Sequence, residues 1–255
     1  MNDYAKQLHT ARKTGNPIEQ LTASGAKLTR PDAYEIQENG ITFRQEDGEK
    51  VVGMKMGLTS EAKREQMNLD APLYGVLTDK MELKNNSEFS LQGMIHCKAE
   101  PEIAFCFKND LVPGMSYEEI FESLEWIAPA IEILDSRYKQ FKYFSMEDVI
   151  SDNSSSSHFV VGEKKTSFSK DDYYHLPMKF YVNDKLMHEG SSNNISDDPL
   201  NSIIELCNLM KLRNKTLPAG MLVLAGAATA AVALEVGMEI KLHVDRHEET
   251  TFTVK

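Results

Sequence analysis

The chain has 255 residues, 41% of them hydrophobic and 26% charged, with a formal net charge of −11. That length and balance suit a folded domain that buries a large core without a disulfide or a structural metal. The acidity, with no basic stripe, excludes a nucleic-acid binder and disfavours an anionic membrane surface, whereas an acidic small molecule stays admissible where a bound cation reverses the local field.

Residues 1–50 read as a helical region and residues 51–255 as a mixed-β domain with a few helices, an α+β class. Pro31 suits the first turn of a helix preceded by Thr29 or Arg30, and Gly40 weakens its end. From Val51 the texture changes: VVGMKMGL is β-branched at its start and glycine-marked, as a strand running into a tight turn would be. SEAKREQM, from Ser60, then has a serine cap and good helix formers. A strand over Ala99–Phe107 ends in a turn at Lys108–Asp110. Ser116 and Glu119 form a capping box that opens a short helix, and PAIEIL alternates as a strand. KFYVNDKLMHEG reads as a hairpin turning at Asn183-Asp184. In DDPLNSIIELCNLM, Asp197 or Asp198 caps a helix that Pro199 opens, with Leu200, Ile203, Ile204, Cys207 and Met210 facing the core. Leu217–Leu234 carries no charge over about 18 residues. Pro218, Gly220, Gly226 and Thr229 punctuate it, so it reads as a buried strand, a turn and the approach to a second strand rather than a membrane span. Two strands follow to the end.

Three cysteines, Cys97, Cys106 and Cys207, form no CxxC pair, and the opening MNDYAKQLHTARK lacks the apolar stretch of a signal peptide. Both features lead to the expectation of a reducing cytoplasm.

Chemistry concentrates in a few segments. In AEPEIAF, residues two apart share a strand face, so Glu100 and Glu102 point the same way, about 5–7 Å apart. Both lie in an apolar segment where unpaired carboxylates repel, and they need a cation or a shared proton. In PAIEILDSRY, Glu132 faces away from Ile131 and Ile133, again a carboxylate in an apolar strand. Glu-x-Glu alone favours a solvated strand face; the third glutamate puts a hard-cation site for Mg²⁺ or Mn²⁺ on an equal footing with it. Lys55, between two methionines, suits either a snorkelling role or an apolar site where it binds a carboxylate or gives up a proton. Gly57 would let backbone N–H groups approach an oxyanion. The hydroxyls of SDNSSSSH fit a substrate carboxylate or a plain solvated turn. His158 has no obvious carboxylate partner, and His243 and His247 fall in a strand or turn where their spacing does not favour zinc. No nucleophile elbow, phosphate loop or dinucleotide fingerprint occurs.

Seven pieces in order, VVGMKMGLTSEAKREQM, APLYGVLTDKM, AEPEIAF, AIEILDSRY, SDNSSSS, NISDDPLNSIIELCNLM and LPAGMLVLAGAATAAVALEVG, make the chain resemble a known family from about Val51 to Val244. It is that of the 2-oxo-3-hexenedioate (4-oxalocrotonate) decarboxylases and 2-hydroxypenta-2,4-dienoate hydratases, within the fumarylacetoacetate hydrolase superfamily. The resemblance implies a mixed β-roll preceded by a helical N-terminal region. It implies a lyase of catechol meta-cleavage with Mg²⁺ or Mn²⁺ on Glu100, Glu102 and Glu132, and Lys55 as the active-site lysine. It also implies contacts to the pyruvyl end of a small 2-oxo acid from Gly57, Leu58 and a serine, Ser155 or Ser156. Assembly as a homo-oligomer, or with a pathway hydratase, stays open. The N-terminal region matches poorly, and Arg246-His247-Glu248 stands where the final hairpin usually turns on Leu-Gly.

The hydratases resembled carry an acid after the proline of a P-x-x-G element, where this chain has Leu73. Water addition needs a group that activates the water, so an apolar residue there favours decarboxylation, as does the form of Gly226–Val232. Hydration to 4-hydroxy-2-oxopentanoate is the alternative. A metal-stabilised binding protein without turnover is the alternative of another class.

Overall fold

A computed structural model describes residues 1–59, 71–140 and 145–255 of the chain. Two helices come first, α1 (Asn2–Thr14) and α2 (Arg30–Glu46), followed by β1 (Val51–Gly57), β2 (Leu73–Thr78), β3 (Glu82–Leu83), β4 (Ser87–Phe89) and β5 (Lys98–Phe107). The middle of the chain holds α3 (Tyr117–Glu122), β6 (Leu124–Leu134), α4 (Met146–Ser151), β7 (Ser156–Val161), β8 (Pro177–Val182) and β9 (Lys185–Ser191). Helix α5 (Pro199–Lys211) leads to β10 (Leu222–Ala227), β11 (Val232–Ala233), β12 (Glu239–Val244) and β13 (Thr250–Val254). The helix expected over SEAKREQM lies outside the described residues.

Local chemistry explains most of these boundaries. Helix α2 opens on a Thr29–Asp32 capping box with Pro31 in its first turn. It runs six residues past Gly40 to Glu46, further than the glycine suggests. Burial of Ala33, Ile36, Gln37, Ile41 and Arg44 holds it together against a glycine penalty of about 1 kcal/mol. Ser116 and Glu119 close the reciprocal cap of α3, and Asp198 caps α5 through the Leu200 N–H. In α5, Leu206 rather than Ile204 is fully buried beside Leu200 and Ile203. Asn183 and Asp184 both take positive φ, 49° and 59°, and turn β8 into β9 as a two-residue hairpin needs. Among the described residues no helix is long and apolar enough to cross a membrane. Within the uncharged Leu217–Leu234 stretch lie strands β10 and β11.

The strands form two sheets. Eight make a curled sheet in the order β2-β1-β10-β5-β6-β7-β3, with β11 beside β5. Five make a second sheet, β4-β13-β12-β8-β9. Pairing is mixed: β1 runs parallel to β10, while β10–β5, β5–β6 and β6–β7 are antiparallel. On β5 and β6, Ile103, Phe105, Phe107, Ile127, Ile131 and Ile133 join the main core with α5 and the second sheet. The alternate residues, Ala104, Cys106, Ala128 and Ala130, join Leu222, Leu224 and Phe159 in a smaller apolar cluster on the other face. Further along that face stand the glutamates.

Candidate metal centre and active site

Glu100 pairs directly with Glu132 across β5 and β6, and Glu102 pairs with Ala130. Strand alternation puts all three carboxylates on the face of the alanine cluster. One oxygen from each lies within 4.8 Å of the others. Glu102 and Glu132 are completely buried, and Glu100 is 7% exposed. Among the described residues this is the one group of three or more histidine, cysteine or acidic side chains that could hold a metal ion.

The partners are polarised around this cluster. Lys55 Nζ donates to Glu132 Oε2 at 2.8 Å, and Ser156 Oγ donates to Glu132 Oε1 at 3.2 Å. The Gly226 N–H donates to Glu102 Oε2 at 2.7 Å, while Glu102 Oε1 is buried with no partner among the described residues. Burial pushes the Glu102 carboxyl well above the ordinary carboxylate range, Glu132 and Glu100 add to the push, and Lys55 opposes it. Burial also raises Glu132, against the pull of Lys55. For Lys55, burial alone would lower the ammonium, but Glu132, Glu100 and Glu102 outweigh it and hold its pKa above the usual lysine value. Three ionised carboxylates against one ammonium leave two negative charges uncompensated within this group of four. With the orphaned Glu102 oxygen and an all-oxygen donor set, the residues fit a hard divalent cation.

Long-range topology brings Lys55 to Glu132. β1 and β6 are three strand positions apart, with β10 and β5 between them, or about 14 Å along a flat sheet. A lysine and a glutamate meet over that gap only because the sheet curls toward this face. The register of β10 against β5 shifts between Leu224 and Ala227. Gly226 sits in that irregularity at φ 118°, a conformation that favours glycine. A Cβ there would collide with the Thr59 side chain.

The serine segment closes the site from the other edge. Every residue from Ser151 to Ser157 is buried, so the segment is no solvated turn. Asn153, Ser154 and Ser155 take successive positive φ values of 49°, 53° and 54°. Three left-handed non-glycine residues in a row cost about 1–2 kcal/mol each. Asn153 holds them against edge strand β2: its Oδ1 accepts from the Val76 N–H at 2.8 Å and its Nδ2 donates to the Val76 carbonyl at 2.9 Å. Gln37 of α2 donates to the carbonyls of Tyr74 on β2 and Ile150 on α4, bracing the same corner.

The residues singled out in the sequence are therefore placed as follows. Glu100, Glu102, Glu132 and Lys55 come together. Gly57 lies beside them: a Cβ on it would approach Ser154 Oγ at 3.0 Å, Leu73 Cδ1 at 3.1 Å and Lys55 Nζ at 3.8 Å. Leu58 follows with φ 59°, and Leu73 is fully buried. Ser156 touches Glu132, whereas the Ser155 hydroxyl turns back to Asp152 Oδ2 at 3.3 Å. Ser154, Asn153 and Gly226 stood in the sequence only as members of a polar run and a turn; their roles here arise from positive φ and a strand irregularity, which residue spacing does not reveal. His158 is hydrogen-bonded to Ser157, and His247 to the Asp172 carbonyl, apart from the carboxylates.

No protein-family model matches the chain. The chain is 37% identical over 249 residues to a 4-oxalocrotonate decarboxylase of a Pseudomonas species, an alignment covering 98% of this chain and 96% of that protein. It is 31% identical over 235 residues to a 2-hydroxyhexa-2,4-dienoate hydratase of Comamonas testosteroni, covering 91% and 89%. Its fold superposes on a 4-oxalocrotonate decarboxylase from Pseudomonas putida G7, solved with magnesium and adipate, at a TM-score of 0.95. That match has 29% identity and covers 100% of this chain and 97% of the other. The chain thus belongs to the lyase family of 4-oxalocrotonate decarboxylases and dienoate hydratases, within the fumarylacetoacetate hydrolase superfamily.

Proposed function

We propose that the protein decarboxylates 2-oxo-3-hexenedioate to 2-hydroxypenta-2,4-dienoate with Mg²⁺ or Mn²⁺ held by Glu100, Glu102 and Glu132. The observation that carries this reading is the buried constellation of three carboxylates with the ammonium of Lys55 2.8 Å from one of them. When bound, the cation supplies a Lewis acid for a 2-oxo acid, making the ketone an electron sink. Breaking the bond to the distal carboxylate releases CO₂, and the electron pair left behind delocalises through the chain to the 2-oxo oxygen as a dienolate. Lys55 Nζ, kept protonated by its carboxylate neighbours, is positioned to stabilise that charge and to hand over a proton. The glycine at position 57 leaves room beside Lys55, and the Ser154 hydroxyl borders the same space. We assign the carboxylate end of the acid to Gly57, Leu58 and this serine turn, with Ser156 fixing Glu132.

Leu73 supports decarboxylation over hydration. Its buried side chain packs against Gly57, close to Lys55, and offers no acid–base group for water. The 37% identical relative bears a decarboxylase name, in line with this choice. The three buried, unpaired thiols suit a reducing cytoplasm, which we propose as the setting.

A product assay tests the reading. Purified protein is given 2-oxo-3-hexenedioate and, separately, 2-hydroxypenta-2,4-dienoate, each with Mg²⁺, with Mn²⁺ and with EDTA. Cation-dependent CO₂ release from the diacid, without hydration of the dienoate, is the expected result. Hydration to a 4-hydroxy-2-oxo acid without CO₂ would transfer the assignment to the hydratase. No turnover of either compound would move the search to other 2-oxo acids.

A further inference from the structure

Behind the serine turn lies a second buried ion pair, Arg137 with Asp152. Arg137, four per cent exposed, leaves β6 just past Asp135 and reaches under the turn. Its Nε donates to Asp152 Oδ1 at 2.5 Å, and its Nη2 donates to the Asp152 carbonyl. Its Nη1 donates to the carbonyls of Asp135 at 2.6 Å and Ser156 at 3.0 Å. One guanidinium therefore grips the backbone immediately before the three left-handed residues and immediately after them. The Asp152 carboxylate completes the grip from below. Its Oδ2 accepts from the Arg137 N–H at 3.2 Å and from the hydroxyls of Ser136 and Ser155 at 3.5 and 3.3 Å.

A run of three positive-φ residues persists only where its surroundings over-determine it. Asn153 fixes the turn to β2, and the Arg137–Asp152 pair bridges its two ends, alongside the Ser155 N–H donating to the Asp152 carbonyl at 2.9 Å. Between and at those ends stand Ser154, against Gly57, and Ser156, on Glu132. The planar five-donor fork is what the site uses; an ammonium cannot reach three carbonyls and a carboxylate at once.

We propose that Arg137, through Asp152, is a positioning residue: it clamps Asn153–Ser155 in the left-handed conformation and so sets where the substrate's carboxylate end is received. This rests on the assignment of the serine turn to substrate binding made above. The clamp predicts a particular separation of effects. Removing it leaves cation binding nearly intact, because the three glutamates sit on strands, and damages binding of the organic acid.

The test compares wild type, R137A and R137K, loaded with Mn²⁺. Three quantities are read: Mn²⁺ affinity, affinity of the loaded protein for oxalate, and amide exchange at residues 153–156. Oxalate presents the adjacent oxygens of a 2-oxo acid. In R137A, oxalate binding is expected to weaken roughly 100-fold, the loss that a misplacement of about 1 Å produces. Mn²⁺ affinity should stay within about threefold, and exchange at 153–156 should accelerate. Added guanidinium should restore oxalate binding to R137A, and the lysine of R137K should not restore it, which a role in bulk folding would not produce. If R137A does not fold, R137K carries the test, since it keeps a charge for Asp152 and loses only the fork. Unchanged exchange at 153–156 in both variants overturns the clamp. Accelerated exchange with unaltered oxalate affinity overturns instead the assignment of this turn to the acid, and with it the role proposed for Arg137 in the site.

Discussion

Glu102 holds a costly position. It is fully buried, one oxygen accepts a single backbone N–H, and the other has no partner among the described residues. A carboxylate so placed works against stability, because two like charges stand within 4.8 Å and the Lys55 ammonium is bonded to Glu132 rather than to it. Replacing it with the neutral isostere separates the two roles. In E102Q, cation affinity should fall by at least about 100-fold, while the metal-free protein should gain about 1–2 kcal/mol. Calorimetric titration and urea unfolding in EDTA measure the two sides; a metal-free E102Q less stable than wild type would refute the argument. The three glutamates were legible in the sequence because strand alternation is local and a carboxylate inside an apolar run stands out. Gly226 was legible only as a turn residue. Its service to Glu102 depends on a positive φ and a register shift that only the folded sheet produces.

At the scale of elements, the same division holds. Capped helices such as α2 and α5 and the Asn183-Asp184 hairpin follow from signals a few residues long. The serine segment does not, because its composition is that of a solvated turn and its burial is imposed by strands distant in the chain. Its attachment to β2 makes a sharp prediction. Asn153 satisfies both the N–H and the carbonyl of Val76 on an edge strand, so N153A leaves two buried backbone groups unpaired. The expected loss is about 2–4 kcal/mol in urea unfolding. A loss below about 0.5 kcal/mol, typical of a surface substitution, would mean that this edge needs no such closure.

For the whole molecule, the proposed metal site sets proton against cation. Burial raises Glu102 and Glu132 above their unfolded values, so the metal-free fold holds more protons than the unfolded chain. Its stability from these groups is full at acid pH and is lost as pH rises through their folded pKa values. Asp152, pushed up to about 6 by burial against the pull of Arg137, has the same sign. His158, pushed down to about 4 by burial and the Arg44 and Arg12 charges, has the opposite sign and favours the fold as pH rises from 4. Neither touches the cation, so both cancel in the difference between melting temperatures with Mg²⁺ and with EDTA. That difference should widen from about pH 5 to about pH 8, because Mg²⁺ must displace the protons that the glutamates hold. A gap that stays constant or narrows would show that the carboxylates are already ionised without the cation.

The strand order has a consequence for the order in which the site can be built during synthesis. β1 supplies Lys55 and β5 supplies two glutamates, yet the two strands are never neighbours; β10, whose first residue is Leu222, lies between them. A growing chain can pair β5 with β6 early, bringing three carboxylates together before Lys55 can join them. Only when β10 has left the ribosome can it slide between β1 and β5, parallel to one and antiparallel to the other, and draw Lys55 over to Glu132. The reactive arrangement is therefore among the last features a nascent chain acquires, and a half-made protein carries the acidic cluster without its lysine.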